Sequence, residues 1–243
     1  MPSTAGRFAR VVVATVALIS VSAGCGGDKS GGPVGTPEDI VTRAPDKTLA
    51  AGTAEIIISA PTAAATGVVD LANHRARLSL AAPGSARPAE LLVAGEHGYV
   101  KIGDTYTRLD AAVPEVLRGG DPWADIDLVR GAVHIRSDGG GEVRGLSTIG
   151  YTLTIDPQQA ISTTPPARQD ALRAVLQGRT AQFQMAVWID RDLLIRRIEV
   201  ATSFDFPKAT PPTRIDGKTI AADIDFVRFG VPVAPVTPPL PGG

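Results

Sequence analysis

Apolar and polar residues alternate with a period of two through much of the chain, a pattern that predicts strands half-buried on one face. GTAEIIISAP is rich in β-branched residues. TGVVDLANHRARLSL reads as two strands joined through Ala72, Asn73 and His74, because Ala76, Leu78 and Leu80 alternate with Arg75, Arg77 and Ser79. More strands follow in AELLVAGEHGYVKIGDTYTRL, where Gly95 to Gly98 and Gly103 to Asp104 supply turn chemistry. In AVHIRSDGGGEVRGLSTIGYTLTID the run Gly139 to Gly141 falls where a hairpin tip is expected. Three strands close the pattern, TAQFQMAVWID, IRRIEVATSFDF and TIAADIDFVRFG, the first two separated by a hairpin loop at Arg191 to Leu194. Strand parity puts Phe183, Met185, Val187 and Ile189 on one face of the first. It groups Ile198, Val200, Phe204 and Phe206 in the second, and sets Ile220, Ala222, Ile224 and Phe226 against Asp223 and Asp225 in the third.

The period lengthens in only a few places. TPEDIVTRAPDKTLAAG opens with a cap at Thr36, Pro37 in the first turn and the acids Glu38 and Asp39 where a helix dipole favours them; a short helix, broken or bent near Pro45, is predicted. AAVPEVLRGGDPWADIDLVRG reads as two short helices separated by Gly119 to Pro122. From Pro165 to Gly178, Ala167, Ala171, Leu172, Val175 and Leu176 recur at helical spacing before a glycine stop. The end, VPVAPVTPPLPGG, holds too much proline for a helix or a central strand and reads as an extended tail. Consecutive hairpins with few helices and no βαβ alternation predict an α+β fold, with the helices gathered on one face of a strongly curved antiparallel sheet.

The N-terminal pattern is different. Arg7 and Arg10 precede the apolar run Val11 to Val21, followed by Ser22, Ala23, Gly24 and Cys25, the layout of a secretory signal peptide. The run falls short of the about 20 residues that span a bilayer. SAGC is similar to the bacterial lipobox, in which the cysteine becomes the first mature residue and carries a thioether-linked diacylglyceryl group. It departs from that pattern at Ser22, where leucine is preferred. Cys25 is the single cysteine of 243 residues and can form no internal disulfide. The Gly-rich stretch that follows it suits a tether. The expected organisation is a lipoprotein signal peptide over 1–24, a flexible tether over 25–36, one domain over 37–231 and a Pro-rich tail over 232–243.

Composition then removes several classes of function. With 24 basic and 25 acidic residues, no electrostatic case exists for nucleic acid. Aromatic residues make up 5% of the chain, so the interior is expected to be aliphatic. His74, His97 and His134 lie in strand or turn contexts without a partner motif, and no histidine pair has metal-ligand spacing. GLSTIG, Gly145 to Gly150, lacks the G-x-S-x-G spacing of a nucleophile elbow. Asp125 with Asp127, and Asp223 with Asp225, have the spacing of paired carboxylates, but period-two acids on a strand read as a solvated face. Trp188 reads as a packing residue. The expectation is a protein that is no enzyme and holds neither metal nor dissociable cofactor.

GYTLTIDPQQA, FQMAVWIDRDLLIRRIEV and DIDFVRFGVPVAPVTPP together resemble the LppX/LprA/LprF/LprG lipoproteins of mycobacteria and related actinobacteria. Trp188, Ile189, Asp190, Leu194, Arg196 and Pro232 occupy the matching places. The N-terminal half agrees in order: lipobox, helix, strands, then the GYVKIGDTYTRL hairpin. The resemblance implies a LolA-like half-barrel, a curved antiparallel sheet wrapped over helices on its concave face, with an apolar cavity between them. It implies binding or transport of acylated lipids or glycolipids at the cell envelope. An acyl anchor, palmitate among its chains, would hold the protein on the outer face of the cytoplasmic membrane through Cys25, with a membrane transporter as a candidate partner. The candidate cavity residues are Phe183, Met185, Val187, Ile198, Val200, Phe204, Ile224 and Phe226. The same faces would serve equally as a filled core, and the competing expectation is an envelope scaffold or sensor that holds a protein partner.

Overall fold

The computed structural model describes residues 32–60, 63–81, 89–95, 97–109, 121–176, 180–201, 214–215 and 218–233. The elements run α1 (Pro37–Ala50), β1 (Thr53–Ala60), β2 (Ala63–Asp70), β3 (Arg75–Ala81), β4 (Ala89–Ala94), β5 (His97–Ile102) and β6 (Thr105–Leu109). They continue with α2 (Pro122–Leu128), a 3-10 turn at Val129–Gly131, β7 (Ala132–Val143), β8 (Leu146–Ile155), α3 (Pro157–Thr163) and α4 (Pro166–Leu176). The last four are β9 (Phe183–Ile189), β10 (Ile195–Ala201), β11 (Arg214–Ile215) and β12 (Lys218–Phe229). The strands form one antiparallel sheet in the order β6-β5-β4-β3-β2-β1-β12-β10-β9-β8-β7, with β11 paired to β12 off this path. The sheet is curved and open, and the helices pack on its concave face; this is the α+β architecture that the alternation predicts.

Successive hairpins account for both halves of this order, and one long-range pairing joins them. β12, last in the chain, lies between β1 and β10. Its end is fastened to the start of β1, where Gly230 N–H donates to the Thr53 carbonyl at 2.9 Å and the Thr53 hydroxyl donates to the Val231 carbonyl at 2.7 Å. Registry then aligns one apolar row across the sheet: Tyr151, Val187, Ile198, Ile224, Ile58, Ala65 and Leu80 stand directly opposite one another in turn. Ile40, Val41 and Ala44 of α1, Ile126 and Leu128 of α2, Ala160 of α3 and Leu172 of α4 cover this layer from the helical side in a single hydrophobic cluster.

Several expectations need correction. Helix α1 runs unbroken through Pro45, which is buried within it; the predicted break does not occur. Thr48, also buried on that side, accepts a hydrogen bond from the Ile195 N–H at 2.9 Å, so the helix stays docked on β10 past the proline. Gly139 to Gly141 form no hairpin tip, because β7 continues through them to Val143. The turn lies at Arg144 and Gly145, with φ of 51° and 82°, the left-handed pair that a two-residue hairpin demands. Asp121 caps a helix that begins at Pro122, so the later of the two helices expected there is present as α2. The helix expected from Pro165 is present as α4, and a further helix that was not expected precedes it: Asp156 caps α3 by accepting from the N–H groups of Gln158 and Gln159. Only Leu172 and Leu176 of its predicted stripe are fully buried, and Val175 is 38% exposed. The signal segment, Cys25, the helix expected before Gly119, Phe204, Phe206 and the tail beyond residue 233 lie outside the described residues.

Candidate functional site

The concave layer is where the candidate cavity residues meet. Met185, Val187, Ile198, Val200, Ile224 and Phe226 are each no more than 3% exposed, all within the one cluster, and Phe183 packs against it partly buried. Parity works in β9 because odd-numbered residues face inward without interruption. At the start of β10 it fails. Ile195 pairs with Ile189 and Arg197 with Trp188, so Arg196 is an extra residue, and both Ile195 and Ile198 turn inward. An aliphatic layer of this kind offers contact area and almost no directional polar groups, which suits hydrocarbon chains as well as it suits packed helices.

The residues that carry the sequence resemblance have structural work at this bulge. Asp190 Oδ1 accepts from the N–H groups of Asp192 and Leu194 at 2.9 and 3.0 Å, and its Oδ2 accepts from Arg196 Nε at 2.6 Å. The guanidinium of Arg196 lies 4.9 Å from the centre of the Phe229 ring. The stretch from Trp188 to Arg196 is thus a locked hairpin corner.

Helix α2 is the most unusual part of the interior. All seven of its residues are buried, two of them aspartates. Asp121 caps it, accepting from the N–H groups of Trp123 and Ala124 at 3.0 and 3.1 Å. Asp127 receives Arg130 Nε at 3.0 Å and the Nε and Nη2 of Arg168 at 2.8 and 3.0 Å, while Arg130 Nη2 reaches on to Asp46 at 2.7 Å. Asp125, 1% exposed, has no such partner, and its Oδ2 makes no hydrogen bond. Burial first, and the nearby Asp121 charge second, push its carboxyl well above the usual carboxylate range. Trp123 is 3% exposed, its indole Nε1 also without a partner. Its ring lies 4.2 Å from that of His74, whose Nδ1 is 2.9 Å from the Gly95 carbonyl and therefore donates to it. Neither Trp123 nor Asp125 stands out in the sequence as a site residue. The signal available was DPWADIDL itself, in which three acids, Asp121, Asp125 and Asp127, interrupt a run otherwise apolar enough to be wholly buried.

The opposite face of the sheet overturns the expectation of a solvated acid pair. Asp225 is fully buried and held by two arginines: Arg197 from the neighbouring strand, at 2.5 and 3.0 Å, and Arg144 from the β7–β8 turn at 2.7 Å. Burial pushes this carboxyl up, but the hydrogen bonds and charges of Arg197 and Arg144 together outweigh it and hold it below the usual range. Asp223 is only partly buried and shifts upward, through burial and then the Asp225 charge. Trp188 is a packing residue, as expected. Arg197 lies 5.8 Å from its ring, and Gly150 leaves room for it, since a Cβ there would stand 3.1 Å from the indole nitrogen.

Among the described residues no group of three or more His, Cys, Asp or Glu side chains could hold a metal ion, and no helix is long and apolar enough to cross a membrane. The curved open sheet with helices in its concavity is the fold of LppX and LprF. The Mycobacterium tuberculosis lipoprotein LppX superposes with a TM-score of 0.54 at 15% identity, over 83% of this chain and 100% of that one. LprF from Mycobacterium bovis gives 0.50 at 16% identity, over 84% of this chain and 99% of its own. Both names belong to the group that the C-terminal motifs resemble, and at this identity the likeness is one of fold. No protein-family model and no curated protein matches the chain.

Proposed function

We propose that the protein is an extracytoplasmic lipoprotein, anchored through acylated Cys25 to the outer face of the cell membrane, that shelters the chains of an acylated lipid or glycolipid on the concave side of its sheet. In this reading residues 1–24 are the signal peptide, 25–36 the tether, 37–231 the lipid-binding domain and 232–243 a tail. The protein is a carrier and not an enzyme, and a membrane transporter is its natural exchange partner. The observation that carries the proposal is the fold shared with a lipoprotein along most of the chain, on a sequence that places its single cysteine at the end of a signal-like segment. The aliphatic row through Val187, Ile198 and Ile224 supports it, because acyl chains need apolar area and little else. Phe204, outside the described residues, keeps its place as a candidate lining residue by strand parity alone.

Mass spectrometry of organic extracts tests the cargo, on the chain beginning after Cys25 and purified from its native host or a close relative, so that no covalent acyl group contributes. A stoichiometric lipid that disappears when Val200 is replaced by tryptophan in a still-folded protein is the expected result. The dense packing of Met185, Val187, Ile198 and Phe226 gives the scaffold reading its support. Extracts free of lipid, with a melting temperature unmoved by added lipids, would replace the carrier by a scaffold that binds a protein partner. Replacing Cys25 by alanine tests the anchor separately, the protein being expected to leave the membrane fraction.

A further inference from the structure

The chain joins the fold at a defined place. A Cβ built on Gly32 would stand 2.5 Å from Cδ1 of Ile149, so the backbone there rests directly on that side chain, and Pro33 beside it is buried. Thr36 then caps α1. Ile149 lies on β8 opposite Ile189 of β9, close to the strand's start at Leu146 and farther from its end at Ile155. Gly32 therefore marks one corner of the sheet, the corner that carries the β7–β8 turn at Arg144 and Gly145 and the β9–β10 loop locked by Asp190.

The docking of Gly32 shortens the link to Cys25 to seven residues, where the sequence suggested a tether reaching to residue 36. Such a link spans at most about 25 Å fully extended, and a Gly-rich linker of that length has a root-mean-square span of about 15 Å. Strand geometry supplies the distances to compare. Leu146, at the near end of β8, is about 10 Å along the strand from Ile149, and Ile155 is about 20 Å the other way, with α3 beyond it. The β6 edge is nine strands from β8, about 43 Å along the sheet. With α3 or the β6 edge against a bilayer, the link would be drawn toward or past its full length. With the β7–β8 turn against it, the link is slack.

We propose that the corner formed by the β7–β8 turn and the β9–β10 loop docks on the surface of the lipid bilayer, held there by a link too short to let the domain turn over. This rests on the acylated Cys25 proposed above and adds which surface meets the membrane. The side chains at the corner suit a headgroup boundary. Val34, two residues past the docked glycine, is 95% exposed, and Leu146 beside the turn is among the few other large apolar side chains left exposed. Arg144 and Arg191 stand at the same corner with their side chains largely in solvent. Long cations of this kind lay apolar stems along hydrocarbon and keep the charge at the headgroups.

The test reads which part of the acylated protein lies near the lipid. Acylation blocks the single native cysteine, so one introduced cysteine takes a fluorophore uniquely: Arg191→Cys in the β9–β10 loop, or Asp104→Cys in the exposed turn between β5 and β6 at the far edge. Each protein is placed in phosphatidylcholine–phosphatidylglycerol vesicles that carry a nitroxide on a fraction of their headgroups. Quenching at Arg191→Cys is expected to exceed that at Asp104→Cys several-fold. Asp192→Cys repeats the measurement one residue on, should Arg191 itself hold the contact. Inserting about twelve Gly-Ser residues after Asp28 adds about 40 Å of reach and should bring the ratio toward one. Equal quenching at the two positions, or stronger quenching at Asp104→Cys, overturns the orientation while the anchor stands. A ratio that survives the longer link overturns the part given to the link. A chain that mass spectrometry shows to carry no acyl group on Cys25 removes the anchor, and the orientation falls with it.

Discussion

Asp225 and Asp125 are the same residue, buried to nearly the same degree on opposite sides of one sheet, and their surroundings could hardly differ more. Asp225 binds two arginines, which hold its carboxyl below the usual range; Asp125 has no arginine or lysine partner, and burial pushes its carboxyl well above that range. The first fastens strand to strand, tying β12 to β10 and to the turn between β7 and β8. The second stabilises nothing that the described structure contains. A buried carboxylate that is fully paired reads as architecture, and one left unpaired is a cost that the rest of the core carries.

The largest expected effect comes from breaking the paired side. Asp225→Ala leaves Arg197 without its partner and should lower the unfolding free energy by about 3–5 kcal/mol in a urea titration. Asp127→Ala takes the carboxylate from Arg168 and leaves Arg130 with Asp46 alone, and a loss of about 3 kcal/mol is expected. The unpaired side should respond with the opposite sign. Asp125→Leu is expected to raise stability at neutral pH by about 1 kcal/mol, because it removes a buried polar group that nothing satisfies. A clear loss there would show that Asp125 is structural after all.

The two carboxyls should also part company with pH. Asp225 has a depressed pKa, so its contribution is present above the unfolded-state value of about 3.9 and lost as pH falls through the lower folded value. Asp125 has a raised pKa, so its protonated form contributes fully below about 3.9 and loses that contribution as pH rises through the folded value. Thermal unfolding from pH 3 to pH 8 should therefore show Asp225→Asn converging on the wild type in acid, while Asp125→Leu gains on it as pH rises. Gly150→Ala, which crowds Trp188 beside Arg197, should cost about 1 kcal/mol. The smallest effect belongs to the exposed pair of Asp39 and Arg43 on α1, where Arg43→Ala should cost about 0.3–0.5 kcal/mol and vanish at high salt.

Much of the sheet was legible in the alternation, as in β3, where Ala76 and Leu78 are buried and Arg75 and Arg77 exposed. The turn at Arg144 was not, because a run of three glycines is a stronger local signal than Arg-Gly; in the strand the first of them, Gly139, takes a φ of 90° at a break in register. Helix α3 was missed although Asp156 and Pro157 carry a start signal, since its seven residues are too few to display a period. Among the candidate lining residues parity was sufficient: six of them share the concave face.

The amphipathic pattern by itself determined which residues face inward along each strand, because a period of two leaves a side chain only two directions. It determined also that antiparallel hairpins make up the fold. Which strands lie side by side across long stretches of chain was decided by tertiary structure, most of all the insertion of β12 between β1 and β10. So was the fate of each aspartate. Asp125, Asp127, Asp223 and Asp225 are alike in a sequence that spaces them alike, and their surroundings diverge because arginines from distant parts of the chain, Arg168 at Asp127 and Arg144 at Asp225, fold against two of them.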